Sequence, residues 1–404
     1  MSSATRVAKP EPFWQSIDLK ESIIIDRSLL MAVVLIAALG WLMVTSASMD
    51  WSQRNFGNIF YVSMRHGIFL CLGGAVAWVV LRIPLSVWRT FSALLVVLSL
   101  ALLILVLIPG VGREINGSIR WLSLGFMNAQ PSEFAKLATI LYMASYLDRR
   151  RDEVQSKWSG FIKPLFVLSL LAVLLLLEPD FGAVVVLMLA TLGLLFLGGV
   201  KAGQFITTAV AVISASVLIL LSSPYRLKRL TGYWQPWTEE NVYGSGYQLT
   251  QSLIAFGRGE FSGVGLGNSI QKLFYLPEVH TDFIFAVLVE ELGLFGALVM
   301  ILLFTILVIR IFQIALKAAR LERLFEAYLS IGIGSWLAIQ TCINIGVNIG
   351  ALPTKGLTLP LISYGRSSLI ITIIAIGMIL RISHEISGQN LNQKRASLKK
   401  TEVS

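Results

Sequence analysis

The sequence predicts an all-α polytopic membrane protein, and three observations carry that prediction. Apolar segments of roughly 18 to 20 residues recur along the whole chain, long enough to cross a bilayer as helices. Hydrophobic residues make up 55% of the chain against 14% charged, with a mean hydropathy of +0.75, which leaves little polar surface for water. Lysine and arginine collect on alternate connections, as the positive-inside rule requires of a multi-span chain. A soluble chain of 404 residues would be expected to divide into two or three domains. Here one membrane domain over 29–382 is expected, between a polar tail at 1–28 and a second at 383–404.

The first apolar segment, 29–48, is too long for a signal-peptide core and follows a charged tail, so it is expected to stay as an uncleaved anchor. Further spans are expected at 62–81, 91–109, 132–147, 163–177, 182–200, 204–221, 283–309, 327–349 and 367–382. Ten spans place both termini on one side. With the N-terminus inside, 21 of the 33 lysines and arginines fall on inner segments and 11 on outer ones. Five of those 11 lie in the long 222–282 connection, which topology counting discounts. Lys136, inside the fourth span, is the remaining one. Both termini are therefore expected in the cytoplasm.

Composition also excludes. The formal charge of +10 would suggest nucleic acid in a soluble protein; in a membrane protein it reads as positive-inside topology and anionic lipid, and no nucleic-acid partner is expected. Cys71 and Cys342 both fall in apolar segments, so no structural disulfide is expected between them. No period of 20 to 50 residues repeats, and no matching pair of broken helices marks an inverted-repeat transporter.

The polar sequence with chemical potential lies outside. It comprises the Arg113–Glu133 connection with GSIRW and QPSE, the acidic turn Glu178-Pro179-Asp180-Phe181-Gly182, the large 222–282 loop, and the Gly/Pro-rich Ala351–Arg366 connection. The chain is organised around LPEVHTDFIFAVLVEELG, Leu276 to Gly293, where four carboxylates and a histidine meet an apolar run. An ionisable residue at or inside a span is a functional hypothesis by default. Asp282 reads either as the N-cap of the following helix or as a general base at the membrane edge. His280 reads as a hydrogen-bonding loop histidine or as a substrate contact, and with no second His or Cys nearby it lacks the partners for zinc. Glu278 is a candidate Mg²⁺ ligand, a cation that takes carboxylates and substrate phosphates.

Glu290 and Glu291 lie roughly 12 Å into the helix at its 1.5 Å rise, too deep to face lipid. A buried cation is expected beside them, with Lys136 as the candidate. Glu133 and Lys136, three apart on one helix face, are equally able to satisfy each other. Arg120 beside Trp121 reads as an interfacial anchor or a ligand contact. Lys355 and Arg366 read as phosphate ligands or as snorkelling headgroup contacts. Arg258 has glycine on both sides, which permits close backbone approach, but the stretch lacks the GK[ST] ending of a phosphate-binding loop.

Taken together, TSASM (Thr45 to Met49), YQLTQSLIAFGRGEFSGVGLGNS (Tyr247 to Ser269), LPEVHTDFIFAVLVEELG and ALPTKGLTLPLISYG (Ala351 to Gly365) resemble the SEDS family of bacterial cell-wall membrane proteins (shape, elongation, division, sporulation). The LPTKGLTLP form and the charged tail resemble its cell-division branch more than its elongation branch. The resemblance implies ten spans with a large extracytoplasmic loop between the seventh and eighth. It implies a glycosyltransferase of the inner membrane that polymerises lipid II into peptidoglycan at the division septum. Partners so implied are a class B penicillin-binding protein, the septal transpeptidase FtsI, and other divisome membrane proteins. The family's catalytic aspartate falls on Asp282, and family-typical positions match at Arg120, Glu133, Lys136, His280, Lys355 and Ser363.

Two departures stand out: Arg366 replaces the second glycine of the family's ISYGGSS, and EPDFGA varies the more usual QPDLGT. The implied chemistry is attack of a GlcNAc 4-hydroxyl on the anomeric carbon of a lipid-linked sugar whose leaving group is a pyrophosphate. That leaving group needs charge neutralisation rather than a proton, so one carboxylate base with cations or a metal suffices, unlike the two carboxyls of a glycosidase. Asp282 is the expected base. Arg120, Lys136, Lys355 and Arg366 are expected at the pyrophosphate, with Mg²⁺ or Mn²⁺ as the metal and no organic cofactor. Two other readings remain: a lipid II flippase, and a non-catalytic divisome scaffold.

Overall fold

A computed structural model describes residues 23–401 apart from 116, 117, 124, 126, 222 and 223. Residues 1–22 of the 1–28 tail and the last three residues lie outside it. Every apolar segment is helical. In chain order the helices are α1 (Arg27–Phe56), α2 (Tyr61–Arg82), α3 (Leu85–Leu107), α4 (Pro131–Arg149), α5 (Arg151–Ser156), α6 (Trp158–Leu177), α7 (Phe181–Leu197) and α8 (Ala202–Leu221). The large outer connection holds α9 (Pro224–Trp234), α10 (Glu239–Val242) and α11 (Tyr247–Gly259). The chain then returns through α12 (Ile284–Arg320), α13 (Leu324–Asn348) and α14 (Arg366–Thr401).

Among the described residues seven helices, α1, α2, α3, α6, α12, α13 and the first part of α14, are long and apolar enough to span a membrane. The protein is a multi-pass membrane protein. α7 and α8 count among its shorter apolar helices, and α4 carries Glu133, Lys136, Asp148 and Arg149 in 19 residues.

Burial sorts these helices into a centre and a rim. The apolar stretch of α14 is 78% buried and that of α13 61%, against 28–33% for α1, α2 and α3, so the former pair is enclosed and the latter three face lipid. α4 is enclosed almost throughout from Pro131 to Leu147. That enclosure is why it can carry a glutamate and a lysine: they face protein, not hydrocarbon. α2 and α14 approach closely, and a side chain at Gly377 would meet the Ala77 backbone at 3.2 Å.

The sequence predicts helices alone, and the outer face differs. Strands β1 (Gly112–Ile115), β2 (Ser118–Ser123) and β3 (Asn128–Ala129) form a small antiparallel sheet in the order β1-β2-β3. Arg113 stands opposite Trp121, and Leu122 opposite Ala129.

The 222–282 connection also differs from a free loop. After α11 the chain turns inward and pairs with α12 where that helix breaks at Gly293 (φ 67°, ψ −167°). The N–H groups of Val264 and Gly265 donate to the carbonyls of Glu290 and Glu291, each at 3.0 Å. Those of Leu294 and Phe295 donate to the carbonyls of Glu260 and Phe261 at 3.0 and 3.2 Å. A break in a spanning helix frees backbone groups that lipid cannot satisfy, and here the returning chain satisfies them.

Candidate active site at the outer mouth of the helices

The site begins with three amides on α13. Gln340, Asn344 and Asn348 recur every fourth residue and therefore share one face. All three are buried. Asn344 Nδ2 donates to the carbonyls of Asp282 (2.9 Å) and Leu357 (2.6 Å). Asn348 Nδ2 donates to the same Asp282 carbonyl at 3.1 Å, and its Oδ1 accepts the Ala286 N–H from the first turn of α12. Gln340 Nε2 donates to the Thr358 carbonyl at 2.9 Å. One helix face thus grips both the chain before α12 and the Gly/Pro-rich connection after α13. Ser363 completes the lacing. Its buried hydroxyl donates to the Thr281 carbonyl (2.6 Å) and accepts the Leu359 N–H (2.7 Å), while the Tyr364 N–H donates to the His280 carbonyl.

Asp282 is fixed by its backbone and open at its carboxylate. It does not cap α12: Phe283 precedes the first helical residue, and no side chain caps that end. The N-cap alternative therefore falls. No described residue donates a hydrogen bond to the carboxylate. Gly356 borders it, and a side chain there would come within 3.0 Å of Oδ2. Burial pushes the Asp282 carboxyl up to about 7, the charge of Glu278 adds to this, Arg120 opposes it, and Asp180 raises it further. A carboxyl poised there is suited to accept a proton near neutral pH.

Arg120, on β2, braces the acidic turn. Its guanidinium donates to the carbonyls of Glu178 (3.1 Å) and Pro179 and lies 3.8 Å from Asp180 Oδ1. Asp180 caps α7 by accepting the Ala183 N–H, and accepts the Ser132 hydroxyl (3.0 Å) and Gln130 Nε2 (3.2 Å). The GSIRW, QPSE and EPDFG motifs thus form one unit. Glu178 is fully buried and neither carboxylate oxygen has a hydrogen-bond partner among the described residues. Burial raises its carboxyl to about 8, with Asp180 adding and Arg120 opposing. Lys355 Nζ lies 3.5 Å over the Phe181 ring, beside the start of α7. Arg366 opens α14 outside the left-handed region, so the backbone there does not require the family's glycine.

His280 is packed between Trp51 and Tyr364, with ring centroids 5.2 and 5.9 Å away. Burial lowers its pKa and Glu278 opposes the shift. Glu278 itself sits at φ 58° and accepts the Thr281 hydroxyl at 2.6 Å. Among the described residues no group of three or more His, Cys, Asp or Glu side chains could hold a metal alone. Glu278 beside Asp282 fits the alternative pattern, in which Mg²⁺ takes one or two carboxylates and completes its shell with substrate phosphate and water.

Two expected placements are different. Glu133 and Lys136 do not line the mouth; Lys136 is sealed beneath it, donating to Glu133 (3.0 Å) and Gln340 (2.9 Å) with its ammonium 5.2 Å from the Trp336 ring. Nor does Lys136 serve Glu290 and Glu291. Glu290 pairs with Arg258 at 2.6 Å and accepts the Ile270 N–H; Glu291 pairs with Lys272 at 3.2 Å and accepts the Ser46 hydroxyl. The returning chain supplies its own cations, so both carboxylates anchor it to α12. The amides of α13 escaped the sequence reading, and Asp180 was named there only as part of the acidic turn, without a role of its own. Their available signal was polar residues at helical spacing inside an apolar segment, and an Asp immediately before a helix.

Comparison with known proteins bears on this geometry. A family model described as "Cell cycle protein" (FtsW, RodA, SpoVE) matches residues 26–388. A Hahella chejuensis protein named "Probable peptidoglycan glycosyltransferase FtsW" is 52% identical over 94% of this chain and 95% of its own length. The Escherichia coli O157:H7 protein of the same name is 48% identical over 91% and 88%. Among solved structures, a chain of a peptidoglycan synthase complex that coordinates polymerization and crosslinking superposes with a TM-score of 0.72. It is 30% identical, over 90% of this chain and 99% of that one. The rod shape determining protein RodA of Thermus thermophilus gives a TM-score of 0.64 at 29% identity, over 89% and 96%. With a match along nearly its whole length and relatives about half identical, the chain belongs to the FtsW/RodA/SpoVE family of cell cycle proteins, the SEDS family that its motifs resemble.

Proposed function

We infer that the protein is a peptidoglycan glycosyltransferase of cell division that polymerises lipid II, with Asp282 as general base. The observation that carries the residue assignment is the Asp282 carboxylate: held by its backbone, free of hydrogen bonds from described residues, bordered by bare glycine backbone, and raised to about 7. In this reading the GlcNAc 4-hydroxyl attacks the anomeric carbon, its proton passes to Asp282, and the C–O bond to pyrophosphate breaks. Lys355 and Arg366 lie on the connection that borders Asp282 and take the pyrophosphate, with Arg120 supplying field from the braced acidic turn. Glu133 and Lys136 act from beneath, through Gln340 and the Thr358 carbonyl. His280 and Ser363 hold the Asp282 segment in place. A Mg²⁺ or Mn²⁺ ion, when bound, supplies further neutralisation of the leaving group, and Glu278 is the residue that would hold it. The polyprenyl tail stays in the bilayer. The likeness to a complex that coordinates polymerization and crosslinking supports a crosslinking partner, which in this reading is a class B penicillin-binding protein that works with the chain at the septum.

The test is polymerisation of purified lipid II by the protein with its partner transpeptidase, read as glycan ladders on a gel. Wild type should give ladders and a folded Asp282→Asn variant none, a loss on the order of 10²–10⁴ in rate for a missing general base. Equal ladders from both would sink the assignment. No ladders from either, with lipid II still crossing liposome membranes, would support the flippase reading instead. EDTA should abolish wild-type ladders and Mg²⁺ or Mn²⁺ restore them; ladders that persist in EDTA would remove the metal from the mechanism.

A further inference from the structure

A cavity of about 490 Å³ on the cytoplasmic face lies toward the other ends of α12 and α14 from the residues of glycosyl transfer. It sits between the start of α1, the last turns of α12 and the cytoplasmic part of α14. Arg27 and Ser28 line it from α1, Arg310 and Lys317 from α12, Ser383 and Ser387 from α14. Arg310 is already matched. Its Nε donates to both oxygens of Asp26 at 3.1 Å, its Nη2 lies 2.9 Å from Oδ2, and its Nη1 donates to Gln313. That pair is neutral as a unit. Arg27 and Lys317 make no hydrogen bond or ion pair with a described residue, though Lys317 lies near enough to Asp26 to help hold its carboxyl low; with Arg310, the lining sets three cations against one carboxylate, beside serine hydroxyls one turn apart on α14.

Two of the helices that wall the cavity also carry exposed apolar side chains toward the membrane. Along α1, Met31 and Val34 are exposed, and along α12, Ile306 and Ile309. A solvated patch of positive-inside residues would not need a concave site with apolar rows on the helices that wall it. We propose that this cavity binds the phosphate headgroup of an anionic phospholipid of the inner leaflet, with the acyl chains along those rows. Arg27 and Lys317 meet the phosphate as charges, and the Ser383 and Ser387 hydroxyls donate to its oxygens.

Native mass spectrometry of the full-length protein, released from nanodiscs of phosphatidylcholine with a minor share of phosphatidylglycerol, reads the retained lipid directly. An Arg27→Gln/Lys317→Gln double variant should retain phosphatidylglycerol about 25-fold less than wild type, roughly fivefold for each cation near an anionic surface. A control double variant, Arg149→Gln/Lys157→Gln, removes two cytoplasmic cations outside the cavity and should retain it as wild type does. Equal helix content by circular dichroism confirms that both variants fold; Arg27 and Lys317 are exposed, so their loss opens no core. Undiminished retention by the first variant would overturn the proposal, and so would an equal loss in the control, which would mean general attraction to the inner face. Thermal stabilisation in detergent by inorganic phosphate as large as that by phosphatidylglycerol would overturn the lipid assignment in favour of a soluble anion.

Discussion

Two carboxylic acids at the outer mouth are raised by burial for opposite purposes, and pH separates them. Asp282 ordinarily ionises near 3.8 and here near 7, so its ionised form is disfavoured by the fold. A raised carboxyl contributes stability that is intact below its ordinary value and is lost as pH rises through about 7. Asp282→Asn should therefore unfold at higher temperature than wild type at alkaline pH and at the same temperature in acid, measured by thermal melts in detergent. The same titration should appear in activity: the polymerisation rate should climb with pH and level off above about 7, because the base works only when ionised. A rate independent of pH from about 5 to 8 would remove Asp282 from proton transfer. Glu178, raised to about 8 with no partner for either oxygen, stands protonated at neutral pH. Glu178→Gln keeps its shape and neutrality, so near-wild-type ladders and melting temperature at pH 7 are expected; a large loss would mean that its ionised form is needed.

Elements, more than single residues, hold the base in place. The α13 amides tie two outer connections to one rigid helix. Removing one leaves buried carbonyls without donors, at about 1–3 kcal/mol each. Asn344→Ala should lower the melting temperature and reduce kcat more than KM, since it frees the Leu357 carbonyl and leaves the Asp282 carbonyl to Asn348 alone, without touching the carboxylate. The broken α12 gives a second expectation. At φ 67° and ψ −167° Gly293 occupies a region close to glycine-only, and a side chain would meet Gly263 N at 2.4 Å. Gly293→Ala should cost at least ~2 kcal/mol in unfolding measurements, from backbone strain alone. Little of this was legible beforehand. LVEELGLF reads as uninterrupted helix because glycine inside an apolar run is common in spans, and the paired segment at 260–265 is remote in sequence. The outer sheet had a local signal, Asn-Gly at 116–117 between two alternating segments, which is a hairpin cue.

At the scale of the whole molecule, the charges sort the chain into layers. Two cations toward the inner helix ends are tied to acids: Arg310 to Asp26, and Arg323 to Glu326 and Glu385. A second layer lies within the outer half, where Glu290 and Glu291 meet Arg258 and Lys272. The Lys272–Glu291 pair is almost wholly buried, so truncating one partner strands the other. Glu291→Ala should destabilise by about 3–5 kcal/mol, as breaking a buried ion pair does. A loss within ~0.5 kcal/mol would mean that water reaches the pair.

The sequence by itself determined the membrane class, the helical segments and the stretch that matters, because apolar length and local motif are properties of contiguous residues. It also brought forward Asp282, Glu278, His280 and the outer cations as neighbours along two short connections. Partnership was decided only by the tertiary structure. Which cation meets Glu290, what grips the Asp282 carbonyl, and why α4 tolerates Lys136 all depend on residues dozens to hundreds of positions apart. Charge pairing and desolvation act through space at a few ångströms, and no local pattern encodes which distant segment the fold will bring there.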